Sequence, residues 1–473
     1  MATSPTIVPN GVDGIVAVSE PAQTASAQKP VAHLPEEFYT PFLSDLAKNR
    51  KPSPIRGLFP LERTPGVISL LAGKPNATMF PFRAVQFTTH APEDPARELE
   101  LVVPPGVLAQ GLQYANTDGI PPLVAWLTML QEREHARNSG AEGWRVSATA
   151  GSQDAIYKAV HAIFDPGDAI LVEKPVYAGV IPIFQSLHLD MIEVETDAQG
   201  IRSSSLRDIL ESWPAAKPKP KALYTVPYGC NPTGMTATLD RRLEVLELSR
   251  AHNFLILEDD PYYYLYYGAA PRTPSYFTLE AQTGDVGRVL RFDSFSKILS
   301  AGIRIGFATG PAALVDAIDM HTSSANLQAC SFAQAVVYTL LDAWGLDGFK
   351  THARAVAAFY RAKRDAFERA LRAQLEGLAE WSTPEAGMFF WFKLLIHPTS
   401  DVEGDSTDLI RNKAYQAGVL ALPGTVFLPN GAQTAYVRAS FSLLEEADVQ
   451  EALRRLREVI LQEREAGAGA GAV

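Results

Sequence analysis

Cysteine is scarce in this sequence, which holds only Cys230 and Cys330 among its 473 residues. Two cysteines cannot build the dense disulfide framework of small secreted proteins, although they could form a single bridge. They also lack the Cys-x-x-Cys spacing that is typical of structural zinc sites. The sequence therefore predicts reduced thiols and no metal site built on cysteine.

Excess positive charge and long apolar runs are also missing. The chain has 42 Lys and Arg against 53 Asp and Glu, which gives a formal net charge of −11. Nucleic-acid and anionic-membrane surfaces need clustered Lys and Arg, so this balance argues against both kinds of partner. The most apolar windows, Ala335–Leu341 and Met388–Phe392, are far shorter than the roughly 20 residues of a membrane-spanning helix.

The two ends of the chain lack the composition of folded segments. Residues 1–32 are rich in Ala, Ser, Thr, Pro and Val and contain no Arg, whereas a mitochondrial presequence is normally Arg-rich. We therefore expect a disordered tail over residues 1–32 and a cytoplasmic protein. Gly and Ala alternate over residues 466–473, which predicts a second flexible tail.

Short apolar runs alternate with helical stretches between about Ala148 and Gly310. The predicted strands are Ala169–Glu173, Met191–Val194, Ala222–Val226, Phe254–Leu257, Val289–Phe292 and Ile303–Ala308, and the predicted helices are Gln153–Ile163 and Leu239–His252. This alternation predicts an α/β fold with a mainly parallel sheet flanked by helices.

The pattern changes after about Ala333. Two long helical segments, Gly348–Glu376 and Glu445–Glu465, surround two predicted strands, Gly387–Lys393 and Ala435–Phe441. That arrangement is typical of a smaller α+β domain. We therefore predict a large domain over residues 87–335 and a small C-terminal domain over residues 336–465, preceded by an N-terminal segment, residues 33–86.

Three short polar motifs each follow a predicted strand. They are Asn231-Pro-Thr-Gly234, Glu258-Asp-Asp-Pro-Tyr-Tyr263 and Ser294-Phe-Ser-Lys297. Ligands of open α/β sheets bind beyond the carboxyl ends of the strands, so these motifs should meet in one crevice. Each motif alone is ordinary, because it could be a turn, a helix cap or a surface lysine. Their order and their common position make a joint functional interpretation the better one.

The combination resembles the fold-type I aminotransferases, which use pyridoxal 5′-phosphate. In detail it is similar to the branch that contains the aromatic and the 2-aminoadipate (kynurenine) aminotransferases. The resemblance runs from about Lys51 to Phe441, and its further marks are Pro52–Arg56, Met79–Phe82, Gln113-Tyr114, Gly119–Pro121, Gly151–Gln153, Ala301–Arg304 and Val437–Phe441. It implies a homodimer that takes amino acids and 2-oxo acids as substrates. It also implies that the N-terminal segment, residues 33–86, packs on the small domain and on the partner subunit.

The resemblance assigns the catalytic roles to three residues. Lys297 is expected to be the Schiff-base lysine, which needs an uncharged amine and hence a lowered pKa. Asp260 is expected to pair with the pyridinium nitrogen of the cofactor, and Tyr263, with Asn231, to bind its phenolic oxygen. The neighbouring pair Asp259 and Tyr262 has the same spacing and is the rival assignment.

The remaining cofactor contacts are also implied by the resemblance. The start of a helix at Ser152 and Gln153 suits a phosphate, although Ser152 could simply cap that helix. Ser294, Ser296 and Arg304 are expected to bind the same phosphate. Tyr177 is expected to stack on the ring and Tyr114 to reach the phosphate of the neighbouring subunit, and a structural tyrosine is the alternative for each.

The substrate contacts come from the two ends of the folded chain. Arg438 resembles the residue that holds the substrate α-carboxylate, for which a planar guanidinium is well suited, with Asn231 beside it. Arg56 and Gly73 lie at positions that line the distal wall in relatives. Lys74 follows Gly73 where we expect an apolar residue, and a solvent-facing lysine is the alternative.

The predicted reaction is transfer of the amino group of an aromatic L-amino acid (Tyr, Phe or Trp) to 2-oxoglutarate or another 2-oxo acid. The alternative donors are 2-aminoadipate and kynurenine. Two other classes share the fold: lyases that use the same cofactor, and regulators that use the fold to bind an effector. A regulator needs a basic DNA-binding domain, and residues 1–32 hold one Lys and no Arg.

Overall fold

The computed structural model describes residues 32–71, 73–396 and 404–470. Residues 1–31 of the predicted N-terminal tail and residues 471–473 of the predicted C-terminal tail therefore lie outside the described residues. Residues 466–470, predicted as part of a flexible tail, continue the last helix of the chain. In the described part of the chain, no helix is long and apolar enough to cross a membrane. The same residues contain no group of three His, Cys, Asp or Glu side chains placed to hold a metal ion.

Eight strands form the large central sheet, in the order β3-β10-β9-β8-β7-β4-β5-β6. The strands of the chain are β1 (Gln86–His90), β2 (Glu98–Val102), β3 (Trp144–Thr149), β4 (Ala169–Lys174), β5 (Asp190–Asp197), β6 (Gly200–Ile201), β7 (Ala222–Thr225), β8 (Leu255–Asp259), β9 (Val289–Ser294), β10 (Gly306–Pro311), β11 (Ala379–Trp381), β12 (Phe389–Leu394), β13 (Leu422–Pro423) and β14 (Tyr436–Ser440). The five strands from β9 to β5 pair in parallel, whereas β3, β10 and β6 pair antiparallel.

Helices cover both faces of this sheet, as its buried central strands require. The helices of the chain are α1 (Asp45–Asn49), α2 (Pro105–Leu112), α3 (Pro121–His135), α4 (Ser139–Glu142), α5 (Ser152–Ile163), α6 (Ile181–Ser186), α7 (Ser203–Glu211), α8 (Leu239–His252), α9 (Tyr276–Thr283), α10 (Ala312–Ala325), α11 (Ser331–Leu375), α12 (Ser406–Asp408) and α13 (Glu446–Ala470), with short 3₁₀ turns and a π-helical stretch, Leu409–Ala414, between them. Helix α11 is broken at Gly345, where φ is 62° and ψ −178°.

A second hydrophobic core lies around the four-stranded antiparallel sheet β11-β12-β14-β13. The second half of α11 supplies Phe367 and Leu371 to this core, and α13 supplies Leu453 and Ile460. The first core extends further along α11 than we predicted, because Phe349 is fully buried in it. The exact limits of the domains stay a prediction.

The predicted fold class is confirmed: an α/β large domain with a mainly parallel sheet, and a smaller α+β part. Helix Leu239–His252 has the predicted bounds, and the predicted strands differ from the observed ones by a few residues. The beginning of the N-terminal segment packs differently from expectation. Tyr39 and Phe42 are buried in the core of the large sheet, not in the second core.

Candidate active site

The three motifs meet at the carboxyl ends of the parallel strands, as the sequence predicts. They border a cavity of about 260 Å³. The predicted residues that line it are Ser152, Gln153, Tyr177, Asn231, Ser294, Ser296, Lys297 and Arg304. The cavity is also lined by Asp259 and Tyr262, the rival pair of the sequence analysis. Its other lining residues, which the sequence-based assignment did not include, are Val226, Pro261, Ala301 and Phe389.

Lys297 ends a short 3₁₀ turn directly after β9. The turn begins at Ser294, whose side-chain oxygen accepts a hydrogen bond from the Ser296 amide at 3.2 Å. Burial lowers the pKa of the Lys297 ammonium group, and the positive charge of Arg304 lowers it further. A lysine with a lowered pKa offers more of the uncharged amine that an aldehyde requires.

Asp259 is the last residue of β8 and lines the cavity, whereas Asp260 does not. The structure therefore places the rival pair, Asp259 and Tyr262, at the cavity, and not the preferred pair, Asp260 and Tyr263. Asp259 accepts a 2.6 Å hydrogen bond from the Tyr224 hydroxyl at Oδ2, whereas its buried Oδ1 has no partner. Burial raises the pKa of this carboxyl to about 7. An unpartnered buried carboxylate oxygen at the cavity fits the protonated ring nitrogen of the expected cofactor.

Asp260 belongs to a buried ion cluster away from the cavity. Its Oδ2 lies 2.7 Å from Nη1 of Arg291, which also lies within salt-bridge distance of Asp293 and Glu258. Because successive side chains of an extended strand point to opposite sides, Asp259 and Asp260 cannot both face the cavity. Arg291 lies within a predicted apolar strand, and a buried arginine needs carboxylates, so its presence could have revealed this cluster.

Tyr262 lines the cavity, whereas Tyr263 faces the ion cluster. The Tyr263 hydroxyl donates to Glu134 at 3.2 Å, and the guanidinium of Arg272 lies 3.7 Å from the centre of its ring. Tyr263 is therefore committed to packing and ion-pair contacts on the other side of the chain.

A cluster of hydrogen-bond donors lies at the start of α5. Gly151 precedes the helix with φ 93°, and a Cβ at this position would lie 2.6 Å from Nη2 of Arg304. The Arg304 guanidinium donates to Ser296 Oγ at 3.0 Å and to the Ala150 carbonyl at 3.0 Å. Backbone amides at a helix N-terminus, two serines and an arginine make a donor set that fits a phosphate.

Arg438 lies on β14 of the small sheet, next to Asn231 and Phe389 of the cavity lining, but is not itself one of the lining residues. Its Nη1 donates to Asn231 Oδ1 at 2.8 Å, and its buried Nε has no partner. The guanidinium lies 4.4 Å from the ring centre of Phe389 and 5.2 Å from that of Phe427. The two rings and Asn231 fix the plane of the guanidinium, which leaves a donor free for a carboxylate.

Close backbone contact brings Asn231 and the small sheet together. A Cβ on Gly229, two residues before Asn231, would lie 2.5 Å from the carbonyl carbon of Ala386. Gly387 is equally tight, since its Cβ would lie 2.7 Å from the Gly229 oxygen. Only glycine permits this approach, which places Asn231 next to Arg438.

Tyr114, Gly73 and Lys74, which were also predicted, do not line the cavity in this chain. Tyr114 is 53% exposed. Lys74 pairs with Glu62 at 2.9 Å and lies 4.6 Å from the ring centre of Phe59, and Gly73 is exposed. Arg56 begins a 3₁₀ turn, and its side chain lies outside the described residues.

Comparisons with known proteins point to one enzyme family. The family model for aminotransferase class I and II matches residues 110–456. Aminotransferase tdiD of Emericella nidulans is 42% identical over 419 residues, which cover 88% of this chain and 94% of that protein. The mouse kynurenine/alpha-aminoadipate aminotransferase, described as mitochondrial, is 38% identical over 89% of this chain and 99% of its own length.

Solved structures show the same similarity. Aminotransferase Aro8 from Candida albicans superposes with a TM-score of 0.83 at 25% identity and covers 92% of this chain and 100% of that structure. A kynurenine aminotransferase from Pyrococcus horikoshii, solved with PMP, gives a TM-score of 0.69 at 28% identity, with coverage of 89% and 97%.

Proposed function

Because the chain belongs to the aminotransferase class I and II family, we propose that it transfers the amino group of an aromatic L-amino acid to 2-oxoglutarate or another 2-oxo acid. The protein is an aminotransferase, and its cofactor is pyridoxal phosphate. The observation that carries the proposal is the cavity in which Lys297, Asp259 and Asn231 lie together.

Pyridoxal phosphate, when bound, supplies an electron sink for the α-carbon of the amino acid. We assign to Lys297 the covalent attachment of the cofactor and the transfer of the α-carbon proton through Nζ. The lowered pKa of its ammonium group supports both tasks, because each needs a free amine near neutral pH.

Asp259 is the residue we assign to the ring nitrogen. A carboxylate at Oδ1 would keep that nitrogen protonated, and the Tyr224 hydroxyl holds the carboxylate in place through Oδ2. Asn231 and Tyr262, which both line the cavity, are then assigned to bind the phenolic oxygen of the cofactor. Tyr177 lines the cavity and is assigned to stacking on the ring.

Phosphate and carboxylate are held at opposite sides of the site in this proposal. Ser152, Ser294, Ser296 and Arg304 hold the phosphate, and the guanidinium of Arg438 orients the α-carboxylate of the substrate. Fixing both anions places the substrate α-carbon against Lys297 and contributes to catalysis by orientation.

The aromatic donor is supported by the apolar wall of the cavity, where Phe389, Tyr262 and Val226 lie. Aromatic rings favour an aromatic partner, because ring pairs gain more than their buried area alone provides. Relatives named as aromatic amino acid aminotransferases support the same choice. A 2-aminoadipate or kynurenine donor is the second candidate, since the mouse relative carries that name.

We also propose that the active unit is a homodimer. Tyr114 and the segment from Ile55 to Phe82 expose large apolar side chains in the single chain. Exposed apolar surface of this extent is typical of an interface. In such a dimer, Tyr114 is assigned to the cofactor phosphate of the partner subunit, as the sequence predicts. The distal end of the substrate is likewise assigned to Arg56, Gly73 and Lys74. The cytoplasmic location stays a prediction, which fluorescence microscopy of the tagged protein in cells would test.

The test is a matrix of donors and acceptors on purified protein. Borohydride reduction should fix the cofactor to Lys297, and mass mapping of the adduct to another lysine would refute that assignment. Phenylalanine, tyrosine or tryptophan with 2-oxoglutarate should give the highest kcat/KM. A much higher value for 2-aminoadipate than for every aromatic donor would favour the second candidate, and loss of carbon dioxide or of a side-chain group without amino transfer would indicate a lyase.

A further inference from the structure

The turn that carries Lys297 touches the long helix α11 on the side away from the cavity. Nε2 of His352 lies 2.7 Å from the backbone carbonyl oxygen of Ile298, the residue after Lys297. A carbonyl oxygen can only accept, so this contact places a proton on Nε2. The amides of Ile298, Leu299 and Ser300 all donate to the Phe295 carbonyl. None of these three amides therefore occupies the Ile298 carbonyl, which accepts from His352.

A second contact joins the same helical turn to the Lys297 segment. Phe349 is fully buried, and its ring centre lies 6.0 Å from that of Phe295, two residues before Lys297. Lys350 is anchored in turn to Glu134 at 2.7 Å. Residues 349–352 are therefore fixed against the large domain at the point where Lys297 leaves the sheet.

The helix that begins after the break at Gly345 continues to Leu375 and enters the second core with Phe367, Ala370 and Leu371. The small sheet of that core carries Arg438. One rigid element thus connects the lysine turn with the part of the molecule that holds the proposed carboxylate contact. His352 is the point at which this element bonds to the lysine turn.

The ring of His352 is held between two other rings. Its centre lies 5.3 Å from that of His90 and 4.8 Å from that of Trp344, beside a cleft of about 460 Å³. Burial lowers the pKa of His352, which favours a neutral ring with the proton on Nε2. His90 packs in the same cluster, but its Nδ1 faces the Ala91 carbonyl at 3.1 Å and has no bond to the lysine turn.

The geometry points to His352 as a positioning residue, whose Nε2 proton holds the Ile298 carbonyl and thereby sets the position of Lys297 relative to α11. This inference rests on the proposed role of Lys297. It goes beyond that proposal because His352 touches neither the cavity nor any residue assigned to substrate. Its loss should change how Lys297 meets the cofactor, with little effect on substrate affinity.

The test compares His352→Phe with His90→Phe in the holoenzyme. Both changes keep an aromatic ring in the cluster, but only the first removes the donor to Ile298. We expect His352→Phe to lower kcat about five- to tenfold, the usual effect of one hydrogen bond, with KM within about twofold. In His352→Phe, the pH midpoint of the cofactor's visible absorbance should also move by about half a pH unit or more. His90→Phe should leave kcat and this midpoint near their wild-type values. His352→Gln, which can still donate, should recover much of the loss.

An unchanged midpoint and kcat in His352→Phe would overturn the inference, as would equal effects of the two phenylalanine variants. No recovery in His352→Gln would overturn the donor role. A measurement on the wild type covers the case in which His352→Phe does not fold: the ¹⁵N shifts of labelled His352 should show the proton on Nε2, and a proton on Nδ1 alone would refute the bond. An adduct on a lysine other than Lys297 would instead refute the proposed function, so the two failures are distinguishable.

Discussion

At the scale of single residues, Asp259 and Asp260 show how one step along a strand changes the role of a carboxylate. Asp259 leaves one oxygen free at the cavity, whereas Asp260 serves the buried guanidinium of Arg291. Asp259, which faces the cavity, can hold a cofactor. Asp260, which faces the ion cluster on the other side of the chain, contributes to the stability of the fold. The two residues should therefore fail in different ways when their charge is removed.

We expect Asp259→Asn to lower kcat/KM about 10- to 100-fold, because a charged hydrogen bond to the ring nitrogen is worth roughly 1.5–3 kcal/mol. Asp260→Asn should lower the melting temperature, since it leaves part of the charge of Arg291 unpaired, but should keep the cofactor absorbance. Kinetics and melting curves on both holoenzymes measure the difference. A larger loss of kcat/KM in folded Asp260→Asn than in Asp259→Asn would restore the original assignment.

Arg438→Lys tests the carboxylate contact. Lysine keeps the charge but loses the planar pair of donors and the packing between Phe389 and Phe427. The KM for amino acids should rise about tenfold or more, as expected for one strong charged hydrogen bond, while cofactor absorbance persists. Arg372→Lys, an exposed arginine paired with Glu368, is the matched control. Unchanged kinetics in Arg438→Lys would remove this residue from the site.

The sequence predicted most of the site because its motifs are local. Lys297, Asn231 and Arg304 keep fixed spacings to strand ends, and strand ends converge in this fold. To choose between Asp259 and Asp260, one must know which of the two side chains faces the cavity at the end of β8. Two adjacent aspartates followed by a run of tyrosines do not reveal this. Tyr224, which holds Asp259, was missed because a tyrosine in a buried strand looks like an ordinary core residue.

At the scale of elements, the sheet was predictable wherever apolar runs are bounded by turns. Strand β10 begins at Gly306, later than its predicted start at Ile303, because Arg304 adopts a left-handed conformation with φ 52°. Strand β3 was missed, since Arg145 and Ser147 interrupt its apolar pattern; both side chains bond Asp319 of α10. Contacts distant in sequence decide such cases, and a single sequence does not display them.

Glu173 links two neighbouring strands of this sheet, β4 and β7, and makes the stability of the fold depend on pH. The carboxyl on β4 accepts from Thr225 at 2.6 Å on β7 and from the Val226 amide at 3.2 Å, and burial raises its pKa to about 7. The folded state therefore keeps the proton up to about pH 7, whereas the unfolded state releases it near its usual pKa of 4.5. Stability from this group is present below that value and is lost as pH rises through about 7.

Glu173→Gln, which resembles the protonated form, should remove this dependence. Relative to wild type, the cofactor-free variant should gain stability from pH 5 to pH 8, by an amount on the order of 3 kcal/mol at most. Urea unfolding at the two pH values measures the change, and Glu380→Gln at an exposed position is the control. A difference between variant and wild type that stays constant with pH would show that Glu173 has an ordinary pKa in the folded chain.

At the scale of the whole molecule, the single chain leaves an apolar surface that a second copy would cover. Ile68 is 91% exposed and Leu70 98%, in the segment that also contains Arg56, Gly73 and Lys74. The sequence could suggest this only through resemblance, because exposure becomes visible only when the rest of the chain has folded. If the segment forms the dimer interface, its apolar residues and the distal substrate contacts belong to one assembly.

The double change Ile68→Asp and Leu70→Asp should therefore weaken the dimer. Each substitution removes buried apolar surface and places a carboxylate in the interface, so the dissociation constant should rise at least about tenfold. Leu443→Asp is the matched control, since Leu443 is 88% exposed but lies outside the segment. Mass photometry across a dilution series should show wild type and control at twice the mass of the chain and the double variant dissociating at higher concentration. If activity also falls with dissociation and returns at high protein concentration, the site needs residues from both copies. A monomeric wild type, or equal dissociation of the control, would rule out this segment as the interface.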